Sequence, residues 1–129
     1  MIAALTVATA LAAGPARAGH GAGGLVPSYS AEHLKRMLDA GEAVVLVDVR
    51  PARDHRAARL PGARSIPLAD LERRLGEIPR QGRVIVYGDS IVEASEAHDV
   101  LHGRGFRNVG VLEEGFRGWV RLGLPVTRP

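Results

Sequence analysis

The sequence predicts a single α/β domain with a parallel β-sheet that carries helices on both faces. Residues 43–50, AVVLVDVR, form an apolar run without alternation, which is typical of a strand covered on both faces. From Val44 onward, strand-like and helix-like segments alternate, as in β-α-β units with right-handed crossovers. The 129 residues, 46% of them hydrophobic, are enough for one domain with its own core.

Each element is indicated by its own local pattern. Ser30 stands where it would cap a short helix that carries Leu34, Met37 and Leu38 on one face and stops at Gly41. After strand 43–50, the order predicted is a helical turn after Pro51, a strand at 64–66, a helix at 68–75, a strand at 84–87, a helix from about 92 to 103, a strand at 108–112 and a short helix that carries Trp119. A six-residue loop, 88–93, is predicted between strand 84–87 and the body of the next helix.

The N-terminal residues are typical of a secretory signal peptide. A run of small and apolar residues is followed by Ala16-Arg17-Ala18, an A-x-A cleavage pattern. The apolar run is shorter than the roughly 20 residues that span a bilayer, so we expect no transmembrane helix in the mature chain. The sequence therefore predicts a signal peptide at 1–18, cleaved near Ala18, a flexible Gly-rich tether at 19–29, a domain at 30–127 and a secreted or periplasmic location.

Composition excludes several kinds of site. The chain has no cysteine, which excludes disulfides, thiolate metal sites and thiol nucleophiles. Its formal net charge is +3, and it falls to +2 when the predicted signal peptide leaves with Arg17. This charge is too small to indicate a nucleic-acid partner. No cofactor is predicted.

Three segments, taken in order, resemble the rhodanese-like domain family from about Ser30 to Val126. They are VDVRPARDHRAARLPGARSIPL, VIVYGDSIVEASEAHDVLHGRGFRNVGVL and LEEGFRGWVRLGLPV. The resemblance implies a three-layer α/β fold, with a central parallel sheet of about five strands and helices on both faces. In active members a cysteine follows the central strand and opens a loop whose backbone N–H groups bind sulfur or an anion.

The resemblance also implies that the active-site loop of this chain is degenerate. Counted back from Gly105-Phe106, the cysteine position falls on Gly88, the loop glycine on Ile91 and the loop arginine on Glu93. The loop implied in this way comprises Gly88, Asp89, Ser90, Ile91, Val92 and Glu93. The chain departs from the family pattern near the site at Ala58, Arg59 and Glu114 as well. No catalytic residue is predicted.

Four other groups of residues have a functional and a structural interpretation. An arginine recurs every three residues at Arg50, Arg53, Arg56 and Arg59. These arginines form either a basic stripe that binds a partner or a solvated face, and in the second case Arg50 pairs with an acidic neighbour such as Asp54. His98 and His102 share a helix face and would need Glu93 or Asp99 to complete a metal site, so we expect no metal and a partly exposed face. Ser90 as a nucleophile is less favoured than Ser90 as a helix cap. Trp119, Phe116 and Leu122 are expected in the core or a lid rather than in a binding patch.

These observations predict an exported rhodanese-like module that binds a protein partner and is not a sulfurtransferase. Two alternatives remain open. One is a small-anion binder that keeps the backbone nest of the loop. The other is a hydrolytic or metal-assisted enzyme that uses Asp89, Ser90 and Glu93, with His98 as a further candidate.

Overall fold

A computed structural model describes residues 26–129 and the backbone of residues 17–18. The strands are β1 Arg17–Ala18, β2 Pro27–Tyr29, β3 Val44–Asp48, β4 Arg64–Ser65, β5 Arg83–Tyr87 and β6 Val109–Leu112. The helices are α1 Ala31–Asp39, α2 Ala52–Ala57, a 3₁₀ helix Leu68–Glu77, α3 Ile91–Gly103 and α4 Gly115–Arg121. The predicted alternation of strands and helices is confirmed.

The strands form one sheet in the order β1-β2-β6-β5-β3-β4. The pairs β2–β6, β6–β5, β5–β3 and β3–β4 are parallel, and only β1, at the edge, is antiparallel. The predicted central parallel sheet of about five strands is therefore confirmed. Because β3 and β5 are parallel neighbours, the loops that follow them lie at the same edge of the sheet.

Hydrophobic residues cover both faces of the sheet. Successive residues of β5 point to opposite faces, so Val84 and Val86 belong to one core cluster while Ile85 and Tyr87 belong to the other. The first cluster includes α3 and the 3₁₀ helix, and the second includes α1 and α4. This packing on both faces explains why the sequence of the central strands is apolar without alternation.

Ser30 caps α1 as predicted, and its side-chain oxygen accepts a hydrogen bond from the backbone N–H of His33 at 3.1 Å. Two predicted elements differ from the structure. The helix predicted at 68–75 is a 3₁₀ helix, Leu68–Glu77, with a kink at Arg74. Residues 27–29, predicted as the end of a flexible tether, form strand β2 because their backbone pairs with Val111 and Leu112 of β6.

The predicted signal peptide and most of the tether lie outside the described residues, apart from strand β1 and residues 26–29. The signal peptide therefore stays a prediction. Among the helices that are described, none has the length and apolar character needed to cross a membrane.

Candidate functional site

The candidate site lies where the carboxyl ends of β3 and β5 meet. Asp48 and Tyr87, the last residues of these strands, are partners in the register. The segment that begins at Val49 therefore runs beside the segment that begins at Gly88, the position that the resemblance assigns to the nucleophile. Polar side chains from both segments converge at this edge.

The carboxylate of Asp48 is fully buried and receives hydrogen bonds from three elements. Oδ1 accepts from the backbone N–H and the Nε of Arg50, both at 3.0 Å. Oδ2 lies 2.8 Å from Nη2 of Arg50, 2.9 Å from Nδ1 of His55 and 3.0 Å from the hydroxyl of Tyr87. The Tyr87 hydroxyl in turn accepts from the backbone N–H of Leu60 at 3.2 Å. Asp48 thereby joins β3, α2 and β5.

Arg50 is held inside the protein rather than on its surface. Its side chain is 4% exposed, and its guanidinium lies 3.8 Å from the ring centroid of Phe116, within the range of a cation–π contact. Nη2 also donates to the carbonyl of Ala58 at 2.6 Å. Burial alone would lower the pKa of Arg50, but the hydrogen bonds and charge of Asp48 outweigh it and raise that pKa. Arg50 therefore stays charged.

Burial and the neighbouring Asp48 charge raise the pKa of Tyr87 well above its ordinary value. The phenol therefore remains protonated and keeps its hydrogen bond to Asp48 at neutral pH. Arg50 and Tyr87 therefore keep their charge states near pH 7, and both continue to hold Asp48 in place.

The segment after β5 is shorter than the sequence predicted. Helix α3 begins at Ile91, so the loop is Gly88–Ser90 and the prediction of a six-residue loop, 88–93, is wrong. Ser90 caps the helix, and its oxygen accepts from the backbone N–H of Val92 at 3.2 Å. Glu93 closes a capping box, because its carboxylate accepts from the N–H of Ser90 at 3.2 Å and from the hydroxyl of Ser90 at 2.7 Å.

The capping box keeps Glu93 ionised. Partial burial would raise the pKa of Glu93, but hydrogen bonds from Ser90 and from its own backbone, with the charge of Arg117, hold that pKa below its ordinary value of 4.5. A fixed negative charge therefore stands at the positive end of α3. This is the electrostatic position that a bound anion would otherwise take.

Gly88 has no room for a side chain in this arrangement. A Cβ atom at Gly88 would lie 2.5 Å from the Cβ of Glu93. The other side of the loop is closed by α4, whose Phe116 and Arg117 donate backbone hydrogen bonds to the carbonyls of Gly88 and Asp89 at 2.8 and 3.2 Å. A Cβ at Gly115 would lie 2.4 Å from the Asp89 carbonyl oxygen, so only glycine fits there. The loop is packed tightly from both sides.

A cleft of about 490 Å³ opens beside the loop. Most of its wall is apolar and comes from the segment after β3 and from the start of the 3₁₀ helix; the apolar residues are Val49, Pro51, Pro67, Leu68 and Ala69. Three charged residues, Arg50, Asp89 and Glu93, complete the wall. The cleft thus contains three residues singled out by the sequence, Arg50, Asp89 and Glu93.

The structure separates the arginines of the predicted stripe. Arg50 points inward, so its predicted surface position is wrong. It does pair with an acidic neighbour, but that neighbour is Asp48 and not Asp54. Arg59 is half-buried, and its Nη1 donates to the carbonyl of His55 at 3.3 Å. Arg53 and Arg56 are exposed on α2, whereas Arg50 and Arg59 lie outside this six-residue helix.

The other sequence candidates take structural positions. His98 and His102 stack with ring centroids 5.7 Å apart, but His98 is 8% exposed, so this face is more buried than predicted at that residue. Within residues 26–129, no group of three potential metal ligands occurs. Trp119 is fully buried and donates to the carbonyl of Pro125 at 2.8 Å, whereas Leu122 is 49% exposed.

Of the residues proposed for a non-thiol active site, only Ser90 and Glu93 are joined by a hydrogen bond, and this bond is part of the capping box of α3. The carboxylate of Asp89 makes no hydrogen bond in the described part of the chain, and the nearest cation is Nη1 of Arg50 at 3.9 Å. Glu114, which departs from the family pattern, accepts a hydrogen bond from the N–H of Ala31 at 2.6 Å and so serves the start of α1.

Sequence reasoning missed the roles of His55, Tyr87 and Phe116 around Arg50. One signal was available, because Asp48 and Arg50 stand two residues apart at the end of a buried strand, where charged side chains need partners. The partners come from other elements, and their identity depends on the strand register.

Comparison with known proteins relates the chain to one family. Residues 30–122 match the rhodanese-like domain family. A protein called a sulfurtransferase from Allochromatium vinosum is 30% identical over 81% of this chain and 98% of its own length. An HTH-type transcriptional regulator of Mycobacterium tuberculosis is 41% identical over 72% of this chain, but the chain spans only 41% of that regulator.

Solved structures give the same result for the fold. The rhodanese-like domain of an Anabaena protein superposes with a TM-score of 0.74 at 28% identity, covering 80% of each chain. A thiosulfate sulfurtransferase from Pseudomonas aeruginosa superposes with a TM-score of 0.72 at 29% identity, over 80% of this chain and 20% of that enzyme.

We predict that Arg50→Lys lowers the free energy of unfolding by about 1–3 kcal/mol, because lysine cannot make the paired contacts to Asp48 and leaves buried acceptors unsatisfied. Urea denaturation measures this change. The exposed Arg53→Lys is the matched control and should be close to wild type. Equal stability of the two variants would contradict the buried pair.

We predict that Glu93 stabilises the protein in a pH-dependent way. Its pKa is lower in the folded than in the unfolded chain, so its contribution is present above pH 4.5 and is lost as pH falls through the folded pKa. Glu93→Gln should therefore be less stable than wild type at pH 7, by about 0.3–1 kcal/mol, with a smaller difference at pH 3. Urea midpoints across this range measure it, with the exposed Glu96→Gln as control. A gap that widens in acid would contradict the prediction.

Proposed function

The chain belongs to the rhodanese-like domain family, and we propose that within it this protein is an exported binding or accessory module without sulfurtransferase activity. Its site then serves recognition of a protein partner rather than sulfur transfer. Export is supported by the signal-like pattern at residues 1–18. The observation that carries the proposal is the absence of cysteine together with the packing of Glu93 against Gly88.

Loss of the thiol is sufficient to remove the family's chemistry. Transfer of sulfur needs a thiolate that attacks the donor and carries the sulfur as a persulfide. Glycine has no such group, and no cysteine elsewhere in the chain can replace it. The relatives called sulfurtransferases therefore indicate ancestry of the fold, whereas function depends on the residues at the site.

Remodelling of the loop argues against the alternative in which the site binds a small anion. Three backbone N–H groups at the start of α3, those of Ser90, Val92 and Glu93, already have acceptors in the side chains of Ser90 and Glu93. An anion would have to displace the Glu93 carboxylate and approach Asp89 as well. Both charges oppose it, so recognition of a partner surface fits the site better than capture of sulfate or thiosulfate.

A non-thiol enzyme is less well supported. Ser90 is 2.7 Å from Glu93, but the same serine oxygen accepts from the N–H of Val92, and no histidine of residues 26–129 forms a hydrogen bond with it. A serine nucleophile needs a base that itself is oriented by a third group. The pair is accounted for by helix capping.

We predict that Gly88→Cys does not restore sulfurtransferase activity. The new Cβ would overlap the Cβ of Glu93, so the variant should lose about 1–3 kcal/mol of stability through overpacking. Its cysteine should give no thiocyanate from thiosulfate and cyanide, as should wild type. Gly103→Ala is the matched control, since a Cβ there meets nothing within 4 Å.

Two outcomes of the thiocyanate assay would contradict these expectations. A Gly88→Cys variant as stable as wild type that forms thiocyanate would mean that the anion-binding loop is intact and that only the nucleophile was lost. Thiocyanate formation by wild type would contradict the proposed function outright.

A further inference from the structure

We propose that the cleft beside Gly88 binds a lysine or arginine residue of the partner protein. This inference rests on the proposed binding function and adds the chemistry of the group that is bound. The cleft has a volume of about 490 Å³, within the range of about 300–1,000 Å³ that is usual for ligand pockets. Its apolar wall and its three charged residues define the occupant.

The first requirement on the occupant comes from Asp89. Its side chain is 35% exposed at the edge of the cleft, and none of the described residues donates a hydrogen bond to its carboxylate. Nη1 of Arg50, at 3.9 Å, lies beyond hydrogen-bond distance. A cation placed here would gain a carboxylate partner beside an apolar surface, where charges are less screened than in bulk water.

The second requirement comes from Arg50. Its side chain is only 4% exposed, and Nε and Nη2 are engaged by Asp48 and Ala58, but Nη1 makes no hydrogen bond to the described residues. Because Arg50 lines the cleft, its Nη1 can donate a hydrogen bond to an acceptor on the occupant. A neutral carbonyl oxygen suits it, since a second carboxylate would also meet Asp89 and Glu93.

A basic residue within a polypeptide meets both requirements at once. Its charged end pairs with Asp89, its backbone carbonyl accepts from Arg50, and its aliphatic stem covers the apolar wall at Pro67 and Leu68. The charge balance agrees: Arg50 is neutralised by Asp48, which leaves Asp89 and Glu93 against Arg117 near the cleft. Ile91 and Val92, on the same first turn of α3 as Glu93, are exposed apolar side chains, 41% and 60% respectively.

The test is a titration of the ¹⁵N-labelled protein followed by amide chemical shifts. The probe is the blocked tripeptide acetyl-Gly-Lys-Gly-amide. The comparison peptides replace lysine with norleucine, which keeps the stem and removes the charge, and with glutamate. We expect saturable shifts at Leu68, Ala69 and Asp89 with the lysine peptide, much weaker binding of the norleucine peptide, and none of the glutamate peptide.

Variants separate the cleft from general charge attraction. Asp89→Asn should weaken binding of the lysine peptide about fivefold, as expected for a partly exposed ion pair. Asp99→Asn, a substitution of an exposed carboxylate elsewhere on α3, should leave the affinity unchanged. Equal affinity for lysine and norleucine peptides, no binding of the lysine peptide, or no effect of Asp89→Asn would overturn the inference.

The same spectra distinguish this inference from the proposed function. If thiosulfate shifts the amides of Gly88–Ser90, the site still binds anions, and this result counts against the proposed function itself. If neither thiosulfate nor the lysine peptide shifts these amides, only the chemistry assigned to the occupant fails.

Discussion

The candidate site depends on one buried carboxylate, Asp48. Removing a charge from water is costly unless every lone pair is satisfied, and Asp48 meets this condition through Arg50, His55 and Tyr87. These contacts tie the end of β3 to α2 and to the end of β5. They also direct the guanidinium of Arg50 under Phe116. The position of α4 over the loop, and the wall of the cleft, follow from that arrangement.

The second constraint is the way in which α3 begins. A helix N-terminus at a parallel sheet edge is a natural anion site, because its N–H groups and its dipole both favour negative charge. Here the protein supplies that negative charge itself, through Glu93 and the cap at Ser90. The fold is therefore satisfied without a ligand at this point. A family scaffold can in this way keep its packing while its loop loses both the nucleophile and the space for one.

The sequence predicted correctly those features that depend on the pattern of apolar residues and on amino-acid composition. The apolar run before Asp48 and the alternation after it predicted the parallel sheet, and the lack of cysteine limited the chemistry. Strand Pro27–Tyr29 was not predicted. It is held by its backbone pairing with β6, and its three residues directly follow a Gly-rich segment that is typical of a flexible tether. The start of α3 at Ile91 follows from the local spacing of Ser90 and Glu93, which form a capping box. The inward direction of Arg50 depends on partners from other elements, which local spacing does not encode.

The most direct test of the account is the melting temperature of the protein with and without millimolar thiosulfate, sulfate or phosphate. We predict no change, because Glu93 already occupies the electrostatic position of an anion. A ligand present at 100 times its Kd would add about 2.7 kcal/mol of stability, which corresponds to several degrees for a domain of this size. A rise of that size with any of these anions would contradict the central claim that the loop has been remodelled away from anion binding.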